Sequence, residues 1–198
     1  MIKLHYMLME LLRRLTSKIS SKALIMTQIL IVVNIIVYIM QCINPDITSM
    51  YVFRSNIWYS YLTACFLHGS LRHLMGNMLF LSFITPVIEK AYGERFILLA
   101  YCFTGIMGSV LFAMFLPQAT ALGASGSICG LMMIWIFHHL INGRLIIVLP
   151  ALFYFMSQGL SAGKSLFMNS GIGYLAHYGS ALGAFFLLPI MLFKNQRD

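Results

Sequence analysis

Charge is what this sequence has least of. Of 198 residues, 9% are Asp, Glu, Lys or Arg, and the acidic ones number 5. A soluble domain carries about a quarter charged residues. Too few are present here to cover a water-facing surface, so a large soluble domain is excluded. Metal-type cysteine patterning is also missing. Cys42, Cys65, Cys102 and Cys129 show no CxxC spacing, and most lie in apolar runs. They read as small core residues, which sets aside a zinc site and a disulfide framework. Neither an internal repeat nor a low-complexity segment is present. The first 22 residues are too polar for a cleavable leader, and no A-x-A site follows the first apolar run. That run is therefore expected to remain as a membrane helix.

What the chain does have is apolar sequence: 60% of it is hydrophobic. The class is integral membrane, and the length suits one compact all-α bundle. Residues 1–22 carry Lys3, Arg13, Arg14, Lys18 and Lys22, with Leu4, Leu8, Leu11, Leu15 and Ile19 at helical spacing. They are expected to form a basic amphipathic segment on an anionic membrane face. A six-span domain over 23–194 and a polar tail over 195–198 follow. The expected spans are 24–43, 71–91, 95–116, 123–141, 145–161 and 171–193. A long first connection, 44–70, holds Tyr51, Phe53, Trp58, Tyr59 and Tyr61 and is expected to lie partly in the membrane interface.

Six spans put Lys3, Arg13, Arg14, Lys18, Lys22, Lys90, Arg95, Arg144, Lys194 and Arg197 on one side, against Arg54, Arg72 and Lys164 on the other. Ten against three fits the positive-inside rule with both termini cytoplasmic in a multi-pass cell-membrane protein. The net charge of +8 thus reads as topology and a lipid-bilayer partner, with no nucleic acid implied.

Ionisable groups at membrane depth mark functional sites. Three clusters stand out: His68, His73 and Asn77 at the start of span 2; Gly123, Ser125 and Gly126 at the start of span 4; and His177 in the first half of span 6. Spans 2, 4 and 6 all enter from the outer side, so the three clusters share one depth. His73 and Asn77 are four apart and share a helix face. Ser125 opens a helix whose free N–H groups favour negative charge, and His177 can serve it as a base. An Asn amide, a His N–H and backbone N–H groups offer donors to an oxyanion. Asp46 and Asp198 are the only aspartates, and Glu10, Glu89 and Glu94 fall on the cytoplasmic side. A serine hydrolase here therefore works with a dyad. Gly126 with Gly130, and Gly179 with Gly183, are expected to let spans 4 and 6 approach closely. A metal held by His68, His73 and His177 is disfavoured, because no carboxylate is near to support the ligands. Ser127 reads as structural, and His138 and His139, at the cytoplasmic end of span 4, are expected to be interfacial and solvated.

Taken together, His68-Gly-Ser-Leu-Arg-His73-Leu-Met-Gly-Asn77, Gly123-Ala-Ser125-Gly126 and Ala176-His177, in order and on spans 2, 4 and 6, resemble the rhomboid family of intramembrane serine proteases over nearly the whole chain. Glu89 and Gly93 add to the likeness. The resemblance implies Ser125 as nucleophile and His177 as general base. It implies an oxyanion hole of His73, Asn77 and the Ser125 backbone N–H, with His68 supporting, and no cofactor. The substrates implied are transmembrane segments of other membrane proteins. The alternative is a catalytically inactive relative that binds membrane segments. Three positions depart from the family pattern. Trp58 is followed by Tyr59 where an Arg is usual, Cys129 stands where an aromatic is usual, and Gly179 and Gly183 fall one place before the usual glycines.

Overall fold

The computed structural model describes residues 24–153 and 173–195. The basic segment 1–22, the second half of the expected span 5 and the end of the polar tail lie outside the described residues. Helices dominate: α1 is Ile25–Ile43, α2 is Asp46–Tyr51, α3 is Ser60–Thr63, α4 is Leu71–Tyr92, α5 is Glu94–Phe115 and α6 is Ser125–Ile141. Residues 145–153 are helical, and α7, Tyr174–Phe185, is followed by α8, Leu188–Asn195. A membrane leaves no water to satisfy backbone groups, so helices are the expected answer to an apolar chain of this kind.

Among the described residues α1, α4 and α5 are each long and apolar enough to cross a membrane, and α7 with α8, bent by 40°, pass the same test when taken as one span. The bend has a local cause. Pro189 cannot donate to the carbonyl four residues back, and its ring crowds that carbonyl, which belongs to Phe185 at the end of α7. The intervening N–H groups of Phe186 and Leu187 turn back to the carbonyls of Gly183 and Ala184 instead. The span expected over 171–193 is thus two helices. At 17 residues, α6 is the short member, reaching about 26 Å. It lies inside the bundle, with Leu131, Ile134 and Ile136 fully buried.

The first helix shows how the bundle is held. Its apolar side chains face outward: Ile25, Ile29, Val32, Ile36, Ile39 and Ile43 are all exposed. Its polar ones, Thr27, Asn34 and Gln41, face inward. Each multiple-of-seven step returns to one helix face, and each residue finds a partner there, as a buried polar group must. Thr27 gives its N–H (2.9 Å) and hydroxyl to the Glu89 carboxylate, which also accepts the Met26 N–H at 2.9 Å. That carboxylate caps the start of α1. Asn34 donates to the Leu30 carbonyl at 2.7 Å and meets the Tyr101 hydroxyl, which donates onward to the Cys65 carbonyl at 2.8 Å. Gln41 bonds to the backbone of His68.

Glycine sets the closest contacts, but not where the sequence spacing suggests. Gly126 does face α7, where an added Cβ would lie 3.3 Å from Ser180 Oγ. Gly130 instead abuts Thr104 on α5, and Gly179 abuts Leu111, Met107 and Gly108, also on α5. Gly183 meets Met107. Three of these four glycines therefore pack on span 3, which also sets its own Gly108 against Ala176 and Ser180. Two small-residue pairs in different spans need not face each other; each faces whatever helix lies on its side.

The first connection divides between core and surface. Phe53 is 1% exposed and packs edge-on against Tyr61 and Phe112 at 5.1 and 5.6 Å. Trp58 is 84% exposed, as an interfacial anchor would be. Phe53 N–H also bonds to the Ala121 carbonyl at 3.0 Å, fastening this connection to the loop before α6.

Candidate active site

Three helix starts converge. Ser70 caps α4, its hydroxyl accepting the N–H of His73 at 3.2 Å. The cap places His73 in the first turn and Asn77 one turn on. Ser125 is the first residue of α6, so its N–H has no partner within that helix. His177 lies one turn into α7, its own N–H bonded to the Gly173 carbonyl at 3.2 Å.

Across this convergence His177 Nε2 stands 2.9 Å from Ser125 Oγ. Ser125, His177, His73, Asn77, Gly123 and Gly126 all line one cavity of about 520 Å³. Gly123 has φ +131°, a conformation L side chains avoid. A Cβ there would sit 2.6 Å from His73 Cε1, 3.0 Å from His73 Nε2 and 3.5 Å from Ser125 Oγ. The glycine therefore lets the imidazole of His73 close on the strand of backbone leading to Ser125. Gly123 N–H is itself held by the Ala64 carbonyl at 2.9 Å.

His68 does not line the cavity. It is 2% exposed and stands behind Asn77, with its Nε2 3.0 Å from Asn77 Nδ2 and its ring 5.2 Å from that of His73. Burial, then the neighbouring His73, pushes the His68 pKa down to about 4, so this imidazole is neutral at ordinary pH. Cys129 is buried at 2% exposure. A ring set against His177 is that of Tyr174, one turn earlier, edge-on with centroids 6.1 Å apart.

Ser127 points elsewhere. It is fully buried, with its Oγ turned toward Cys65 and Gly105. His138 and His139 sit at the far end of α6, but His139 is buried rather than solvated as expected; His138 Nδ1 meets the Tyr92 hydroxyl at 3.1 Å and His139 Nδ1 meets the Trp135 carbonyl at 3.0 Å. No group of three or more His, Cys, Asp or Glu able to hold a metal occurs among the described residues.

Some of the cavity escaped the sequence reading. Cys65, Gly105 and Ser109 also line it, and Ser109 Oγ donates to the Tyr61 carbonyl at 3.0 Å. Gly105 and Ser109 form a small-xxx-small pair in span 3, the same signal noticed in spans 4 and 6.

Residues 55–194 match the family model described as Rhomboid domain. The chain belongs to the rhomboid family. It is 29% identical over 149 residues to the Putative rhomboid protease YdcA of Bacillus subtilis (strain 168), covering 71% of this chain and 70% of that protein. To Rhomboid-like protein 11, chloroplastic, of Arabidopsis thaliana it is 34% identical over 87 residues, 43% of this chain and 31% of that one. To Rhomboid-like protease 3 of Toxoplasma gondii it is 28% identical over 107 residues, 48% of this chain and 41% of that one. This rhomboid chain thus spans between 31% and 70% of the length of these three relatives. Membership agrees with an all-α membrane fold.

Proposed function

We propose that this rhomboid is an intramembrane serine endopeptidase that cuts transmembrane segments of other membrane proteins. The observation that carries the reading is the 2.9 Å contact of His177 Nε2 with Ser125 Oγ inside a cavity flanked by His73 and Asn77. In this reading Ser125 Oγ attacks the scissile carbonyl and His177 Nε2 takes its proton, then returns it to the leaving amine. A water, activated by the same imidazole, releases the acyl group. The carbonyl oxygen, becoming negative, is met by donors from His73, Asn77 and the Ser125 N–H. The reading includes six spans with both termini cytoplasmic. The short α6 supports a nucleophile below the surface, since about 26 Å of helix does not fill the ~30 Å hydrocarbon core.

The relative described as a putative protease favours the enzyme over an inactive binding protein, as does the Ser125–His177 contact, which binding alone does not require. The test uses a fluorophosphonate, which labels activated serines, together with cleavage of a labelled single-span membrane protein in detergent. The wild type is expected to be labelled once and to cleave. Ser125→Ala and His177→Ala are expected to lose both activities, and Ser127→Ala to keep most of both. An adduct mapped to Ser127, or cleavage by Ser125→Ala, would sink the assignment. A wild type that is folded yet neither labelled nor active would favour the inactive relative.

A further inference from the structure

Gln41, near the end of α1, is 7% exposed, and its side-chain amide lies along the backbone of His68. Its Oε1 accepts the His68 N–H at 2.9 Å, and its Nε2 donates to the His68 carbonyl at 3.2 Å. The same Nε2 donates to Thr48 Oγ1 on α2 at 2.8 Å. A backbone N–H only donates and a carbonyl only accepts, so this amide has one orientation. The pairing copies a rung of a β-ladder, with a side chain standing in for the second strand.

The residue held this way needs holding. His68 sits between a 3₁₀ turn, Ala64–Phe66, and the start of α4, where no ladder of its own fixes the backbone. Its ring has few tethers. Nδ1 is buried and makes no well-formed hydrogen bond among the described residues, though the Phe66 backbone lies close to the ring. Tyr38 of α1 contributes only an edge contact, with centroids 6.5 Å apart. Nε2 faces Asn77 Nδ2 at 3.0 Å.

That last contact has a consequence for Asn77. A side-chain amide has two ends of similar shape and opposite sign. Turned one way it presents N–H to a developing negative oxygen; turned the other way it presents a lone pair and repels it. With Nδ2 facing His68, the imidazole nitrogen accepts one amide N–H and carries its own proton on Nδ1. The neutral state of His68 keeps that lone pair available.

We propose that Gln41 is a positioning residue for the oxyanion site: by clamping the His68 backbone, it holds the imidazole that orients the Asn77 amide. The proposal rests on Asn77 being an oxyanion donor, as proposed above. A merely structural Gln41, tying α1 to the first connection, would affect folding without acting through Asn77.

A double-mutant cycle separates the two. The full chain in detergent is assayed for kcat and KM on the labelled single-span protein. The rate of fluorophosphonate labelling is measured alongside, since its adduct places an oxygen where the oxyanion forms. Gln41→Ala is expected to lower kcat and the labelling rate about tenfold, within the range of coupling in one hydrogen-bond network, with KM within about twofold. In an Asn77→Ala background the same change is expected to cost less than about twofold. Thr48→Val removes only the second acceptor of Gln41 Nε2 and is expected to lower kcat in the same direction by a smaller factor. It serves as the probe if Gln41→Ala does not fold. A Gln41→Ala or Thr48→Val effect that persists in full without Asn77, or unchanged kcat in both variants, overturns the proposal. Wild-type kcat in Asn77→Ala overturns instead the reading of Asn77 as donor.

Discussion

Gly123 links backbone conformation to the chemistry proposed for the site. Its φ of +131° lies where a Cβ is strained, and that Cβ would press on His73 at 2.6 Å. Gly123→Ala is expected to cost about 1–3 kcal/mol in backbone strain and to push the imidazole away from Ser125. Misplacement of a reacting group by about 1 Å can cost ~100-fold in rate, so a loss of that order in labelling and turnover is expected. Circular dichroism and a melting curve establish that the variant is folded. Full activity in a folded Gly123→Ala protein would show that His73 does not need its present position. Cys129 makes a contrasting case. Its buried place one turn beyond Ser125 holds no ring, and the edge of Tyr174 stands against His177 instead.

At the scale of elements, the meeting of Ser125 with His177 depends on how deeply α7 seats against α5. Gly179 is one of the tight points of that seating: an added Cβ would lie 2.6 Å from Leu111 Cβ, 2.8 Å from the Met107 carbonyl oxygen and 3.0 Å from Gly108 Cα. Two of those three atoms are backbone and cannot turn aside. Gly179→Ala is therefore expected to lose about 1–3 kcal/mol by overpacking and to lower turnover by carrying His177 away from the serine. Gly76 on α4 is the control, since nothing lies within 4 Å of its added Cβ. Gly76→Ala is expected to melt at the same temperature or slightly higher, helped by the better helix propensity of alanine. Equal melting temperatures and equal turnover for the two variants would show that the α5–α7 contact does not govern the site.

For the whole molecule, the prediction is topological. Among the described residues, three helices and one bent pair pass the length and composition test for crossing a membrane. The six-span reading adds α6 and the helix that begins at 145. Reporter fusions at residue 50 are expected outside, and fusions at 93 and 143 inside. A reporter at 143 that reads as external would remove α6 as a crossing and would separate the three motifs in depth. The charge distribution is the physical reason for the expected orientation: basic residues stay on the cytoplasmic side because moving them across during insertion is unfavourable.

Local features of the chain were legible from sequence. Each helix in lipid must satisfy its own backbone, so each apolar run has to be a helix with ends near its polar flanks. The run over 24–43 became Ile25–Ile43, and 71–91 became Leu71–Tyr92. Ser125 and His177 were visible because polar groups are scarce in such runs, and a scarce group stands out. The tertiary structure decided which faces meet. In sequence Gln41 is one polar residue in an apolar run; only the fold brings it to the backbone of His68, 27 residues away. Gly130 and Gly179 carried a spacing that permits close approach, yet Thr104 and Gly108 on α5 are what they approach. The bend at Pro189 vanished in a hydropathy average, which counts apolar residues and takes no account of direction. Hydropathy and spacing are properties of one segment, whereas a contact depends on the rotation and tilt of two, and those are set only when all the helices pack at once.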